Sequence, residues 1–85
     1  MRRRAKVDAN HAAIVARFRA HYWSVVSLAS QGDGCPDLLV TNGPRTVLVE
    51  VKTGTGTLTP AQRQFWREWR GDIGMCGTPG YPSTC

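Results

Sequence analysis

Two apolar segments separated by a short turn constrain the fold of this chain more than any other feature. The segments are 37–41 (DLLVT) and 46–52 (TVLVEVK), and Asn42-Gly43-Pro44-Arg45 lies between them. Alternation along each segment places apolar side chains on both faces of the two strands. Such a hairpin is stable only when both faces are covered. The sequence therefore predicts a central hairpin in an α/β domain, with helices on both sides.

The turn also determines which residues of the two strands lie opposite each other. A loop of even length centred on the Gly-Pro pair places Leu39 opposite Leu48 and Asp37 opposite Glu50, with Lys52 two residues further on the same face. Opposed carboxylates are destabilising unless a positive group lies between them. The Lys52 ammonium and a divalent cation are the two candidates for that group. A structural Asp–Glu–Lys cluster on a wet sheet face is the alternative interpretation.

Helix signals lie on either side of the strands. Asp8 can cap a helix to about Tyr22, and 23–30 is rich in β-forming residues, which predicts a strand. The residues expected to share the core face of this helix are His11, Ile14, Val15, Phe18 and Tyr22. Thr59-Pro60-Ala61-Gln62 combines an N-cap, a proline at the first helical position and a glutamine three residues after the cap. We expect this second helix to stop at Gly71.

Composition limits the class of protein. A chain of 85 residues accommodates one small domain, and 41% hydrophobic residues is too many for a disordered chain. We expect neither a membrane span nor a secretion signal, because no long apolar stretch follows the basic N-terminus. The cysteines, Cys35, Cys76 and Cys85, have no paired spacing. This pattern predicts reduced thiols in a cytoplasmic protein.

The positive charge is concentrated at the N-terminus. Residues 1–20 contain six Lys and Arg residues and one Asp, a difference equal to the net charge of +5 for the whole chain. The basic arm contains Arg2, Arg3, Arg4 and Lys6. Such an arm can bind phosphates, although a solvated terminus that aids solubility is an equally good interpretation of the charge alone.

Several short motifs, taken together, resemble the PD-(D/E)XK nuclease superfamily. They are Gly34-Cys35-Pro36-Asp37, Leu48-Val49-Glu50-Val51-Lys52 and Leu58-Thr59-Pro60-Ala61-Gln62. The match looks closest to small phage VRR-NUC, or Holliday-junction-resolvase-like, nucleases and covers roughly residues 6–70. It implies a restriction-endonuclease-like core of order α-β-β-β-α, with a mixed central sheet. Residues 73–76 could form a short edge strand, which Gly74 weakens and which could be degenerate.

The resemblance implies a metal-dependent endonuclease that hydrolyses DNA phosphodiester bonds, including those of branched or structured DNA. Asp37 and Glu50 would hold Mg²⁺ or Mn²⁺, with the Val51 carbonyl as a further ligand, and Lys52 would orient or activate the attacking water. Gln62 matches a glutamine that supports the site in the family. Its spacing alone favours a role as the capping partner of Thr59, and one residue could do both.

The helices offer further candidates, each with a structural alternative. An acidic residue often completes the metal shell from the first helix of family members. Here Asp8 and His11 occupy that region, as a cap and as a residue expected to pack. A stripe on the second helix could contact phosphates or remain solvated: Arg63, Arg67 and Arg70. Three aromatic residues beside it could stack bases, but their spacing favours the core: Phe65, Trp66 and Trp69.

The sequence thus predicts a basic arm over 1–7, one nuclease-like domain over 8–76 and a disordered tail over 77–85. DNA is the expected partner, and the small core and the family's stand-alone members suggest a homodimer. The expected location is the cytoplasm, that of the host cell if the gene belongs to a phage. A catalytically impaired nucleic-acid-binding module with the same fold is the alternative function. A small basic structural protein is the third interpretation.

Overall fold

The computed structural model describes residues 9–52 and 57–77, and these form a small α/β domain with one mixed sheet. The elements in chain order are α1 (Ala9–Ala20), β1 (Ser24–Ser27), β2 (Leu38–Thr41), β3 (Thr46–Val51), α2 (Pro60–Glu68) and β4 (Asp72–Cys76). The sheet order is β1-β2-β3-β4. The first three strands are antiparallel, and β4 lies parallel to β3. The predicted α/β class with a mixed sheet is confirmed.

The central hairpin has the register that the turn predicts. Leu38 pairs with Val49 and Leu39 with Leu48. The turn is closed by Arg45, whose N–H donates to Asn42 Oδ1 at 2.9 Å and whose carbonyl accepts from the Asn42 N–H at 3.0 Å. Side-chain and backbone bonds of the turn therefore fix the alignment of β2 with β3.

The two faces of the sheet are covered by different helices. On the face that we call the α1 face, a buried cluster joins helix and sheet: Ile14, Leu38, Val40, Val49, Val51 and Cys76. Leu48 and Glu50 are buried on the opposite face, the α2 face, where Gln62 of α2 contacts Glu50. The prediction that the hairpin is covered on both sides is confirmed.

The short edge strand expected over 73–76 is confirmed as β4, and it is regular rather than degenerate. All five residues of β4 pair along β3, from Asp72 opposite Val47 to Cys76 opposite Val51. Gly74 does not interrupt the ladder, because its backbone pairs opposite Val49 like that of any other residue. Helix α2 supplies the crossover connection that two parallel strands require.

The first helix ends earlier than its periodicity indicates. Tyr22 adopts a left-handed backbone (φ 67) and is 92% exposed, so its predicted place on the core face is wrong. The His21 and Trp23 N–H groups both donate to the Phe18 carbonyl, at 3.1 and 3.0 Å, and close the helix end. The chain reverses at Tyr22, which brings the Trp23 ring edge-on to Phe18 at 5.5 Å.

The second helix begins where the sequence predicts. Thr59 Oγ1 accepts from the Gln62 N–H at 3.2 Å, and Gln62 Oε1 accepts from the Thr59 N–H at 2.8 Å. This reciprocal capping box satisfies two backbone donors that a helix start would otherwise leave exposed. The helix is capped by Trp69, which has extended backbone and precedes the expected stop at Gly71.

Other sequence predictions have mixed outcomes. Neither described helix is long and apolar enough to cross a membrane. Cys35 is a free thiol, whereas Cys76 is disulfide-bonded, so the prediction of reduced thiols is wrong for Cys76. The basic arm over 1–7, including Arg2, Arg3, Arg4 and Lys6, lies outside the described residues, as do Asp8 and the end of the chain after Gly77.

Candidate active site

Asp37 is fixed at the start of β2 through both its backbone and its side chain. Continuing the ladder by one pair beyond Leu38 and Val49 places Asp37 opposite Glu50. The Asp37 carbonyl accepts from the Leu28 N–H at 2.6 Å. Its Oδ2 accepts from the Val51 N–H at 2.9 Å. The carboxylate is therefore tied to the strand that carries Glu50.

Glu50 is a buried carboxylate that two polar side chains contact. It is 3% exposed, and its Oε2 accepts from Gln62 Nε2 at 3.1 Å. Lys52 Nζ lies 4.0 Å from the same oxygen. Lys52 also donates to Gln62 Oε1 at 3.1 Å. These contacts offset part of the cost of burying a charged group, because buried charges are tolerated when they are paired and hydrogen-bonded.

Gln62 takes part in the cap of α2 and also contacts Lys52 and Glu50. Its Oε1 accepts from the Thr59 N–H and from Lys52 Nζ, and its Nε2 donates to Glu50. An amide has one acceptor oxygen and one donor nitrogen, so these partners also determine its orientation. The capping interaction therefore positions the same amide that links Lys52 to Glu50.

The loop before Asp37 packs tightly on the first turn of α2, a feature that the sequence did not predict. Gly34 has φ +79, and a Cβ atom added there would lie 2.6 Å from the Ala61 carbonyl carbon and 3.0 Å from the Gln62 nitrogen. In the sequence, this packing is indicated only by Gly34, because a residue without a Cβ atom allows another part of the molecule to approach its backbone closely. That part is the backbone of α2 at Ala61 and Gln62.

Cys35 is a second neighbour of the site that the sequence did not predict. Burial, followed by the negative charges of Glu50 and Asp37, raises the pKa of its thiol. Both carboxylates are therefore close enough to act on this thiol.

The structure does not bring His11 to the two acids, and Asp8 lies outside the described residues. In the described part of the chain, no group of three or more His, Cys, Asp or Glu residues could hold a metal ion. His11 belongs to α1, which packs on the face opposite Glu50, and its Nε2 is buried without a hydrogen-bond partner there. The described acids of the site are therefore Asp37 and Glu50.

The three arginines and Trp69 lie at the surface, whereas Phe65 and Trp66 are half-buried. Arg63 Nη1 donates to the Leu58 carbonyl at 3.0 Å, and Arg67 and Arg70 are exposed. Trp69 is 43% exposed and stacks on Phe65, so its predicted place in the core is wrong. Trp69 is the C-cap of α2 and has extended backbone (φ −79, ψ 126).

No protein family model matches this chain, and no curated protein or solved structure matches it either.

Proposed function

We propose that this chain is a metal-dependent endonuclease of the PD-(D/E)XK type that hydrolyses DNA phosphodiester bonds. The observation that carries the proposal is the cluster in which Gln62 of α2 contacts both Glu50 of β3 and Lys52, while Asp37, just before β2, accepts from the N–H of Val51, the residue between them. The element order α-β-β-β-α-β and the strand order support a restriction-endonuclease-like core. The VRR-NUC or Holliday-junction-resolvase-like motifs favour branched or structured DNA within that class.

The donor set suits a small, hard divalent cation. Mg²⁺ in proteins commonly takes one or two carboxylates and completes its octahedron with waters and substrate phosphates. Asp37 and Glu50 supply two carboxylates, and the backbone carbonyl of Val51 is the third proposed ligand. The Val51 N–H points towards β2, and the carbonyl of a strand residue faces the same neighbour as its N–H. If the β2–β3 pairing is continued beyond Leu38 and Val49, Pro36 lies opposite Val51. Proline has no N–H, so Pro36 cannot donate a hydrogen bond to the Val51 carbonyl.

The side chains around this position suit phosphodiester hydrolysis. A bound Mg²⁺ or Mn²⁺ would polarise the phosphate and lower the pKa of a coordinated water. Lys52 is held by Gln62 with its ammonium 4.0 Å from Glu50 Oε2, where it can orient the attacking water and offset charge on the phosphate oxygens. Gln62 serves as a positioning residue, since it contacts both groups and is itself fixed by the cap of α2.

The basic arm is expected to contribute to DNA affinity. Deleting Arg2–Arg4 should weaken DNA binding and flatten the dependence of log K on log salt, because fewer counterions are released. The slope should fall by roughly 0.9 for each phosphate that the shortened arm no longer neutralises. Metal affinity measured by calorimetry should be nearly unchanged. An unaltered salt slope would show that the arm is only a solvated terminus.

A catalytically impaired DNA-binding module is the second candidate. It is favoured by one observation: the described residues provide no third His, Cys, Asp or Glu ligand beside Asp37 and Glu50. This module would keep the basic charge and the fold but would cleave nothing.

Incubation of the purified chain with branched and linear DNA distinguishes the two functions. We expect strand cleavage with Mg²⁺ or Mn²⁺ and none with EDTA, with branched DNA cut faster. DNA binding without cleavage under every metal condition would contradict the nuclease and favour the binding module. Cleavage that persists in EDTA would point to a contaminating activity or to a different chemistry.

A further inference from the structure

We propose that Phe65 and Trp69 form a stacking platform for an unpaired base, so that the preferred substrate has single-stranded nucleotides next to the cleaved phosphate. This inference rests on the proposed function for its substrate, and it adds a surface that neither the motifs nor the site residues include. The two rings lie 5.5 Å apart and 18° from parallel. Trp69 remains 43% exposed although its partner is half-buried.

The Trp69 ring is held in place before any ligand binds. Its Nε1 donates to the Asp72 carbonyl at 3.3 Å. A Cβ atom added to Gly71 would lie 2.9 Å from the same nitrogen, which shows how closely the chain passes the edge of the indole. A ring fixed by a stacked neighbour, a hydrogen bond and a close backbone loses little freedom when a base stacks on it.

The platform is on the same helix as a residue of the candidate active site. Gln62 contacts Lys52 and Glu50, and Phe65 and Trp69 follow it by three and seven residues. At about 1.5 Å per residue, Glu68, the last residue of α2, lies roughly 9 Å from Gln62 along the helix axis, and Trp69 caps that end. That length corresponds to about three stacked nucleotides at about 3.4 Å each. A base on the platform is therefore close to the phosphate at the site.

The charges around the rings suit a nucleic-acid strand. Arg67 and Arg70 are exposed on either side of Trp69 in the sequence. Of the two nearby acids, Asp72 pairs with Arg45 at 3.5 Å, whereas Glu68 keeps its charge and accepts from the neutral amide of Gln64 at 3.1 Å. Aromatic rings flanked by arginines form the usual surface for unpaired bases, because every base has a face that can stack and every nucleotide has a phosphate.

The test compares a forked DNA that has unpaired arms with a fully paired duplex of the same sequence, in EDTA so that no cleavage occurs. Trp69→Ala should weaken binding to the fork about tenfold and leave binding to the duplex nearly unchanged. Trp69→Tyr, which keeps a ring, should restore most of the affinity. Tyr22→Gly is the matched control, because Tyr22 is 92% exposed at the other end of the fold and its φ of 67 suits glycine.

A measurement on the unaltered chain covers the case in which the variants fail to fold. Stacking should quench tryptophan fluorescence when the fork is added, and the duplex should quench it much less. Absence of quenching, or an equal loss of fork and duplex binding in Trp69→Ala, would overturn the platform. A dimeric wild type that becomes monomeric in Trp69→Ala with intact fork binding would assign the rings to a subunit interface instead. These assays contain no metal and measure binding alone. Their outcome is therefore independent of whether the chain cleaves DNA.

Discussion

Asp37→Asn is expected to abolish Mg²⁺-dependent cleavage while DNA binding survives or improves. Asparagine keeps an oxygen that can accept from the Val51 N–H, so the strand contact at 2.9 Å is preserved. It removes the charge that a cation needs, and it also removes a negative charge from a surface that phosphate must approach. Cleavage and binding are measured on the same branched DNA. Asp33→Asn is the matched control, since Asp33 is exposed in the preceding turn and its φ of 56 suits asparagine.

The same variant makes a separate prediction about stability. Without metal, Asp37→Asn relieves repulsion with Glu50 and should raise the free energy of unfolding by ~0.2–1 kcal/mol. With Mg²⁺ this advantage should shrink or reverse, because only the wild type gains binding free energy in the folded state. Thermal melts of both proteins with and without Mg²⁺ measure the difference. Equal shifts of the two melting temperatures on adding Mg²⁺ would mean that no specific cation site includes Asp37.

Lys52→Ala should also abolish cleavage, but its effect on stability has the opposite sign. Glu50 is 3% exposed, and the variant removes the ammonium 4.0 Å from its Oε2. The charge of a buried carboxylate is less well compensated once a nearby cation is removed, so the free energy of unfolding should fall. Metal binding should be largely retained, because lysine is not a ligand. Without metal, Asp37→Asn should therefore raise the free energy of unfolding, whereas Lys52→Ala should lower it. This difference in sign distinguishes a metal-binding carboxylate from a cation that lies beside the site.

Local rules predicted the parts of the site that depend on neighbours in sequence. The register of β2 with β3 follows from the turn, so the placement of Asp37 opposite Glu50 could be read from strand periodicity. The start of α2 follows from a capping box, which requires a Thr and a Gln three residues apart. Both signals are local, and tertiary packing did not override them.

Contacts between distant segments could not be predicted in this way. Tyr22 continues the apolar spacing of α1 but takes a left-handed conformation that ends the helix. Trp69 caps α2 with extended backbone, and its side chain lies at the surface. Gly74 weakens β4 by propensity, yet a parallel partner along all of β4 compensates. Nothing in the sequence shows that the loop containing Gly34 packs against Ala61, because this contact exists only after α2 has crossed to β4.

That contact gives the second large effect: Gly34→Ala should destabilise the fold and impair cleavage together. Gly34 has φ +79, and the new Cβ would lie 2.6 Å from the Ala61 carbonyl carbon, which is backbone and cannot rotate away. The left-handed conformation costs alanine roughly 1–2 kcal/mol, and overpacking adds roughly 1–3 kcal/mol. The total is a large part of the stability of a small domain.

Gly32→Ala separates the two costs. Gly32 has φ +74, so alanine there pays the same backbone penalty, but a Cβ atom at Gly32 has no neighbour within 4 Å. The measurement is chemical denaturation of both variants, followed by cleavage assays at a temperature at which each is folded. Gly34→Ala should be the less stable variant, and it should lose activity even when folded, because displacement of the Ala61 backbone moves Gln62 away from Lys52 and Glu50. Equal stability and equal activity of the two variants would show that the packing of the loop on α2 does not position the site.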